Sequence, residues 1–393
     1  MKDLSALPLT ILGGMLLLSL VISPIANRFK IPRVSLFILC GLCIGYLSPA
    51  GVHSLAQEWF ISISNVTLLI ISYLLGTRLT RDYVSHYAKA ASISTFVITF
   101  CTFFIVCLGL ILIGFSLELA AIMAAIAIAT DPAATLDVIK ESKVENQFTK
   151  VLEGIVALDD AIALIVFSVV LSIVSTLLIP TDITPPIVHL LRELIGAILL
   201  GIIVGAMLVV LLNMKKHVKR QNKSVLVESL GLIFLTGGLA LTFEFSFLLS
   251  AMVMGIVVVN FADDSIDHFH ELEFIESPLL VLFFILAGAS VSWKIEQNVV
   301  WLVVSYIVLR IAGRFISGYL IPRNTIASPS QQLLGIALLP QAGIALGMAL
   351  VASHHFPQHA NTIISTTIAV TIFFEVVGPF FTGYAINRIK RDS

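Results

Sequence analysis

Apolar runs of roughly twenty residues recur from one end of this chain to the other, and that recurrence limits its fold more than any single motif does. An α-helix needs ~20 apolar residues to cross the hydrocarbon of a bilayer. Counted that way, spans fall at about 7–27, 34–50, 58–77, 91–115, 117–139, 150–178, 187–213, 225–243, 246–262, 276–293, 298–321, 331–353 and 359–386. The composition agrees, with 58% of the 393 residues hydrophobic and 12% charged. A soluble domain carries about 25% charged residues. Lipid offers the backbone no hydrogen-bonding partner, so the spans must be helices. The expected fold class is an all-α polytopic membrane protein of about 13 transmembrane helices. Nothing is basic and aromatic enough to suggest nucleic acid, and no cofactor is implied.

Basic residues assign the two sides. Arg28, Lys30 and Arg33 follow the first span, Arg78, Arg81 and Lys89 the third, and Lys140, Lys143 and Lys150 the fifth. Lys215, Lys216, Lys219, Arg220 and Lys223 follow the seventh, Arg323 the eleventh, and Arg388, Lys390 and Arg391 the last. The opposite side has only Lys2, Arg192 and Lys294. The positive-inside rule then puts the N-terminus outside and the C-terminus in the cytoplasm, and the acidic loop Asp263–Glu276 counts little in it. The expected location is a bacterial plasma (inner) membrane. No soluble regulatory domain is expected, so gating falls to the membrane part or to another polypeptide.

Two spans are interrupted. Thr130-Asp131-Pro132 breaks the fifth, and Leu339-Pro340-Gln341-Ala342-Gly343 breaks the twelfth, seven spans later and so in the opposite direction. Prolines often do no more than kink membrane helices. Two matched breaks, one holding an aspartate, favour inverted halves with a transport site near the midplane. The division expected within one transporter domain (1–393) is repeat one about 7–178, a linking helix about 187–213, and repeat two about 225–386.

Asp159 and Asp160 stand side by side in the apolar run from Gly154 to Leu178. A charged aspartate at mid-membrane costs at least ~2.5–3.5 kcal/mol. A chain that bears this cost twice uses its acids to hold something positive: a metal cation, a proton, or each in turn. The two side chains are about 100° apart around a helix, so one should face an ion cavity and the other a separate partner. Thr130, Asp131 and the carbonyls freed at Pro132 offer hard oxygen ligands suited to alkali cations. Arg310 and Arg314 share one helix face, and neither can shed its proton. Arg310, deeper in its run, is the expected partner of Asp159, and Glu375 is a second acid able to neutralise an arginine. Glu153 is expected at the cytoplasmic mouth, Glu228 and Glu244 near span ends in structural roles, and Asp137 in solvent. Cys40 and Cys43 have redox spacing but read as small packing residues. His53, His189 and His268 lack metal-ligand spacing.

Taken together, four segments resemble the monovalent cation/proton antiporter superfamily. They are Ala129-Thr130-Asp131-Pro132, Leu158-Asp159-Asp160-Ala161, Arg310-Ile311-Ala312-Gly313-Arg314 and Leu338-Leu339-Pro340-Gln341-Ala342-Gly343, in that order along nearly the whole chain. The paired acids are similar to the branch that includes bacterial sodium/proton antiporters and the Kef-type potassium efflux systems. The resemblance implies a homodimer, each protomer with a dimerisation scaffold and a core in which two broken helices cross, working by an elevator-like movement. It also implies that Asp160 binds cation and proton in competition, that Asp159 is salt-bridged, and that Thr130 and Asp131 line the crossing. The alkali cation would be held by Asp160, Asp159 and Thr130, with Pro132, Pro340, Gln341 and Gly343 forming the breaks. Na⁺ is the favoured ion and K⁺ the alternative; both, like H⁺, are substrates. Relatives that move charge commonly have lysine where Arg310 stands, and arginine cannot release a proton as lysine can. One cation is therefore expected to exchange for one proton, without net charge, unless Asp159 also takes up a proton when Arg310 lets go.

Three other classes fit less well. An intramembrane aspartyl protease places its acids on different helices, one in a Gly-x-Gly-Asp setting absent from this sequence. A channel would show rings of carbonyls or charges at a subunit axis. A carboxylate symporter would need a positive site where this chain has an acidic one. The activity expected is transport, not enzymatic catalysis.

Overall fold

The computed structural model describes residues 3–29, 33–47, 50–80, 88–178, 186–216, 223–262, 266–289, 297–322, 330–341 and 343–392. Lys2, Lys30, Arg81, Lys219, Arg220, Asp263, Lys294, Arg323 and Ala342 lie outside them, as do the side chains of His53, His189, His268, Lys215, Lys216, Lys223, Lys390 and Arg391.

The described elements are all helical. In chain order they are α1 (Asp3–Phe29), α2 (Arg33–Leu47), α3 (Ala50–Thr77), α4 (Ala88–Ile113), α5 (Leu117–Ile128), α6 (Pro132–Ser142), α7 (Gln147–Leu178) and α8 (Pro186–Lys216). There follow α9 (Lys223–Thr242), α10 (Phe247–Phe261), α11 (Ile266–Ala289), α12 (Gln297–Leu320), α13 (Ser330–Ala337), α14 (Gly343–His355), a 3₁₀ turn (Pro357–His359) and α15 (Ala360–Asp392). Serine caps start two of the shorter ones: Ser116 accepts from Leu119 N and Ser246 from Leu249 N, each at 3.4 Å. Such caps satisfy backbone donors that a membrane would otherwise strand.

Six described segments are long and apolar enough to cross a membrane by length and composition: Lys89–Ile113, Gln147–Ser175, Leu191–Met214, Glu271–Ala289, Val299–Leu320 and Pro357–Ile389. The chain is a multi-pass integral membrane protein. One boundary departs from the sequence reading. The acidic stretch before residue 276 is not simply a loop, because α11 begins at Ile266 and carries Glu271, Glu273 and Glu276. Hydropathy ends a span where charge begins, whereas glutamate is a good helix former and lets the helix run on.

Helix α10 packs against α8 and α3, α11 against α2 and α3, and α12 against α4. Helix α5 lies against α4 and α7, α13 against α12 and α15, and α14 against α15. This arrangement puts the broken segments inside: every residue of α5 from Leu119 to Ile128 is buried. The outer helices show the opposite pattern, with Leu191, Ile195, Ile198, Ile202 and Ile203 of α8 exposed. In lipid such a face costs nothing, and close packing with small residues drives helix association instead. Gly255 of α10 shows this, since a Cβ there would overlap the Tyr73 carbonyl of α3 and stand 3.1 Å from Gly76 Cα. Gly231 of α9 has nothing within 4 Å of the same added atom. Gly255→Ala should therefore destabilise the protein by ~1–3 kcal/mol through overpacking. Gly231→Ala should be neutral or slightly stabilising, and thermal unfolding of both variants in detergent micelles checks the contrast.

Candidate functional site

Both breaks occur where proline removes a backbone donor. Helix α5 ends at Ile128, Ala129 turns the chain out with ψ 140°, and Pro132 restarts it at the first position of α6, where a missing N–H is tolerated. Helix α13 ends at Ala337 and α14 begins at Gly343, with Pro340 between them. The two breaks touch: Asp131 N donates to Pro340 O at 3.0 Å, and Gln341 Nε2 donates to Ile126 O at 3.0 Å. The carbonyl ends of two half-helices and the N–H ends of two others thus meet inside the protein, each carrying a partial charge.

Arginines complete the carbonyl ends. Arg310 donates from Nε to Ala127 O at 2.9 Å, from Nη2 to Ala129 O at 2.9 Å, and from Nη1 to Leu339 O at 2.6 Å. One planar fork therefore spans both breaks, a task lysine's single ammonium cannot perform. The guanidinium also lies over the Phe374 ring, 4.3 Å from its centroid. Arg314, one turn later, donates to Ile128 O and pairs with Asp159 Oδ2 at 3.7 Å. Both arginines are 0% exposed.

The carboxylates divide as helical geometry requires. Asp159 turns toward Arg314 and accepts a 2.9 Å hydrogen bond from Thr130 Oγ1. Asp160, 1% exposed, turns elsewhere, and neither of its oxygens has a hydrogen-bond partner among the described residues. Asp159 Oδ1 is likewise without one. Buried polar atoms are rarely left so, and here they cluster. Asp160 therefore keeps both oxygens free of protein hydrogen bonds, while Thr130 has given its proton to Asp159. Among the described residues no three His, Cys, Asp or Glu side chains converge as a multidentate metal site would need.

Two expectations are corrected. The partner of Asp159 is Arg314, because Arg310 commits its donors to carbonyls and Arg314 is the residue that reaches the α7 side. Glu375 forms no ion pair with either arginine among the described residues: it is 1% exposed on α15, and the nearby charged group is the acid Asp131. Asp131 itself caps α6, with Oδ2 accepting from Ala134 N at 3.3 Å. Among the lesser candidates, Glu153 is half-buried beside a surface cavity of about 340 Å³ that Lys140, Lys143, Glu145, Thr149 and Lys150 also line. Asp137 and Glu244 are exposed, and Cys40 and Cys43 carry free thiols.

Tyr306 was missed by sequence reasoning. It is buried one turn before Arg310 and accepts a 2.9 Å hydrogen bond from Gln341 Nε2. Spacing could have found it, since residues 306, 310 and 314 form one stripe of α12. Arg78, in the turn after α3, lies within electrostatic reach of Asp160, and its place past the end of a span gave no hint of this.

The family described as "Sodium/hydrogen exchanger, transmembrane" matches residues 15–385. The ammonium/H⁺ antiporter subunit AmhT of Alkalihalophilus pseudofirmus is 24% identical over 317 residues, covering 78% of this chain and 77% of that one. Two structures of the sodium proton antiporter MjNhaP1 from Methanocaldococcus jannaschii share the fold. One, at pH 8, has TM-score 0.74 at 17% identity, the other TM-score 0.76 at 18%, each covering 99% of both chains. The chain belongs to the transmembrane sodium/hydrogen exchanger family.

Proposed function

We propose that this protein is a secondary antiporter exchanging a monovalent cation for H⁺, with cation and proton competing for Asp160. The observation that carries the reading is a buried carboxylate with both oxygens unpaired, beside a salt-bridged neighbour and two crossed helix breaks. An acid so placed can be neutral with a proton or with a cation, and holding one excludes the other. Asp159 keeps its charge balanced by Arg314 and orients Thr130, so the exchange is carried by Asp160. Alternating access would come from an elevator-like movement of the crossed core against a scaffold, in a homodimer whose protomers contain two inverted repeats (about 7–178 and 225–386) joined by the helix at 187–213. The membrane would be a bacterial plasma membrane, and the positive-inside count favours a cytoplasmic C-terminus.

Na⁺ is the first choice of ion and K⁺ the alternative. The similarity to an ammonium/H⁺ antiporter subunit adds NH₄⁺, which would donate hydrogen bonds to the same oxygens that coordinate a metal ion. Cation-driven dequenching of a pH dye in proteoliposomes, with Na⁺, K⁺, Li⁺ and NH₄⁺ given separately, should identify the substrate. Asp160→Asn should reduce exchange to the level of empty liposomes, and normal transport by that variant would reject the site. Arg310 is fixed on carbonyls and Arg314 on Asp159, so neither is set to pass a proton. Exchange should therefore be electroneutral, and its rate should be unchanged when valinomycin and K⁺ clamp the membrane potential at different values during Na⁺-driven exchange. A voltage-dependent rate would mean that Asp159 also carries a proton.

A further inference from the structure

The end of α5 turns a run of backbone carbonyls into the protein, and every one of them meets a side-chain donor. Ile126 O accepts from Gln341 Nε2 at 3.0 Å, and Ala127 O from Arg310 Nε at 2.9 Å. Ile128 O accepts from Arg314, and Ala129 O from Arg310 Nη2 at 2.9 Å. A helix leaves about four carbonyls without intrahelical partners at its C-terminus, and in hydrocarbon the protein itself must satisfy them. The carbonyls of residues 127, 128 and 129 are met directly from α12. That of Ile126 is met by a residue of the other break.

Helix α12 reaches this last contact as well, through Tyr306. Residues 306, 310 and 314 follow one another at helical spacing on one face of α12. Tyr306 Oη accepts from Gln341 Nε2 at 2.9 Å and donates to Gln341 Oε1 at 3.4 Å. Both residues are fully buried. A side-chain amide has two N–H donors on one nitrogen and a carbonyl oxygen as acceptor. Here one donor goes to Ile126 O and the other to the tyrosine hydroxyl. Turned over, the amide would set Oε1 against Ile126 O, acceptor against acceptor. Phenylalanine at 306 would fill the same space but leave one amide N–H and Oε1 without the hydroxyl. Thr130, which donates to Asp159, directly follows the capped carbonyls, so any shift at the end of α5 is carried straight into the acidic site.

We propose that Tyr306 is a positioning residue that acts through Gln341. Its hydroxyl fixes the Gln341 amide in the orientation that donates to Ile126 O, and so keeps the two breaks, and Thr130 with them, in the arrangement that binds the cation. It takes no part in binding the cation itself. The consequence for transport rests on the antiport reading; the tie between the breaks does not.

The test compares wild type with Tyr306→Phe, Gln341→Leu and the double variant in two measurements. In proteoliposomes, Tyr306→Phe should raise the apparent KM for the cation roughly fivefold, the effect of losing about one buried hydrogen bond, with Vmax per folded protein unchanged. The double variant should match Gln341→Leu alone, because a residue that acts only through its neighbour adds nothing once that neighbour is gone. In the purified protein, ¹⁵N-labelled at glutamine side chains, the Gln341 amide signal is the one lost in Gln341→Leu. Its hydrogens should exchange with solvent roughly tenfold faster in Tyr306→Phe. An unchanged KM, a fall in Vmax alone, effects that multiply in the double variant, or unaltered amide exchange would each overturn the proposal. Should wild type exchange no cation at all, the antiport reading fails, while amide exchange still decides whether Tyr306 holds Gln341.

Discussion

Helix ends brought together inside hydrocarbon set the terms for everything else in this protein. A stranded carbonyl in an apolar medium costs several kcal/mol, and two broken helices strand several at one place. Arg310 and Arg314 answer that cost, but a buried arginine is itself expensive unless paired. Asp159 supplies the pairing for Arg314, and the partial negative charge of the helix ends supplies it for Arg310. The break, the arginines and the first aspartate are therefore one solution to one problem, and none of them would be stable without the others.

What remains after that balance is Asp160. It has Asp159 beside it and Arg78 within electrostatic reach, and neither of its oxygens has a hydrogen-bond partner among the described residues.

The spans, both breaks and the acidic pair were legible in the sequence because each is a local pattern: a run of apolar residues, a proline beside polar residues, adjacent aspartates. Pairing across helices was not. Arg310 and Arg314 occupy the same face of α12, and sequence depth suggested the former for Asp159. The choice turns on which carbonyls lie within reach, a matter of how α5 and α13 approach α12. Glu375 misled for a related reason. An acid in an apolar run is expected to seek a base, yet here it meets another acid, which only the packing of α15 on the first break brings about. Tyr306 carried a spacing signal that went unused because tyrosine in a membrane helix is unremarkable.

Arg310 clasps carbonyls from both breaks with one rigid group. Rewinding or unwinding either break alone would have to tear that clasp in a low-dielectric interior. In the elevator-like cycle proposed above, the two breaks would therefore move as one body. Ion choice would then be decided once, as the chain folds, and an inward-facing and an outward-facing site would share the same selectivity.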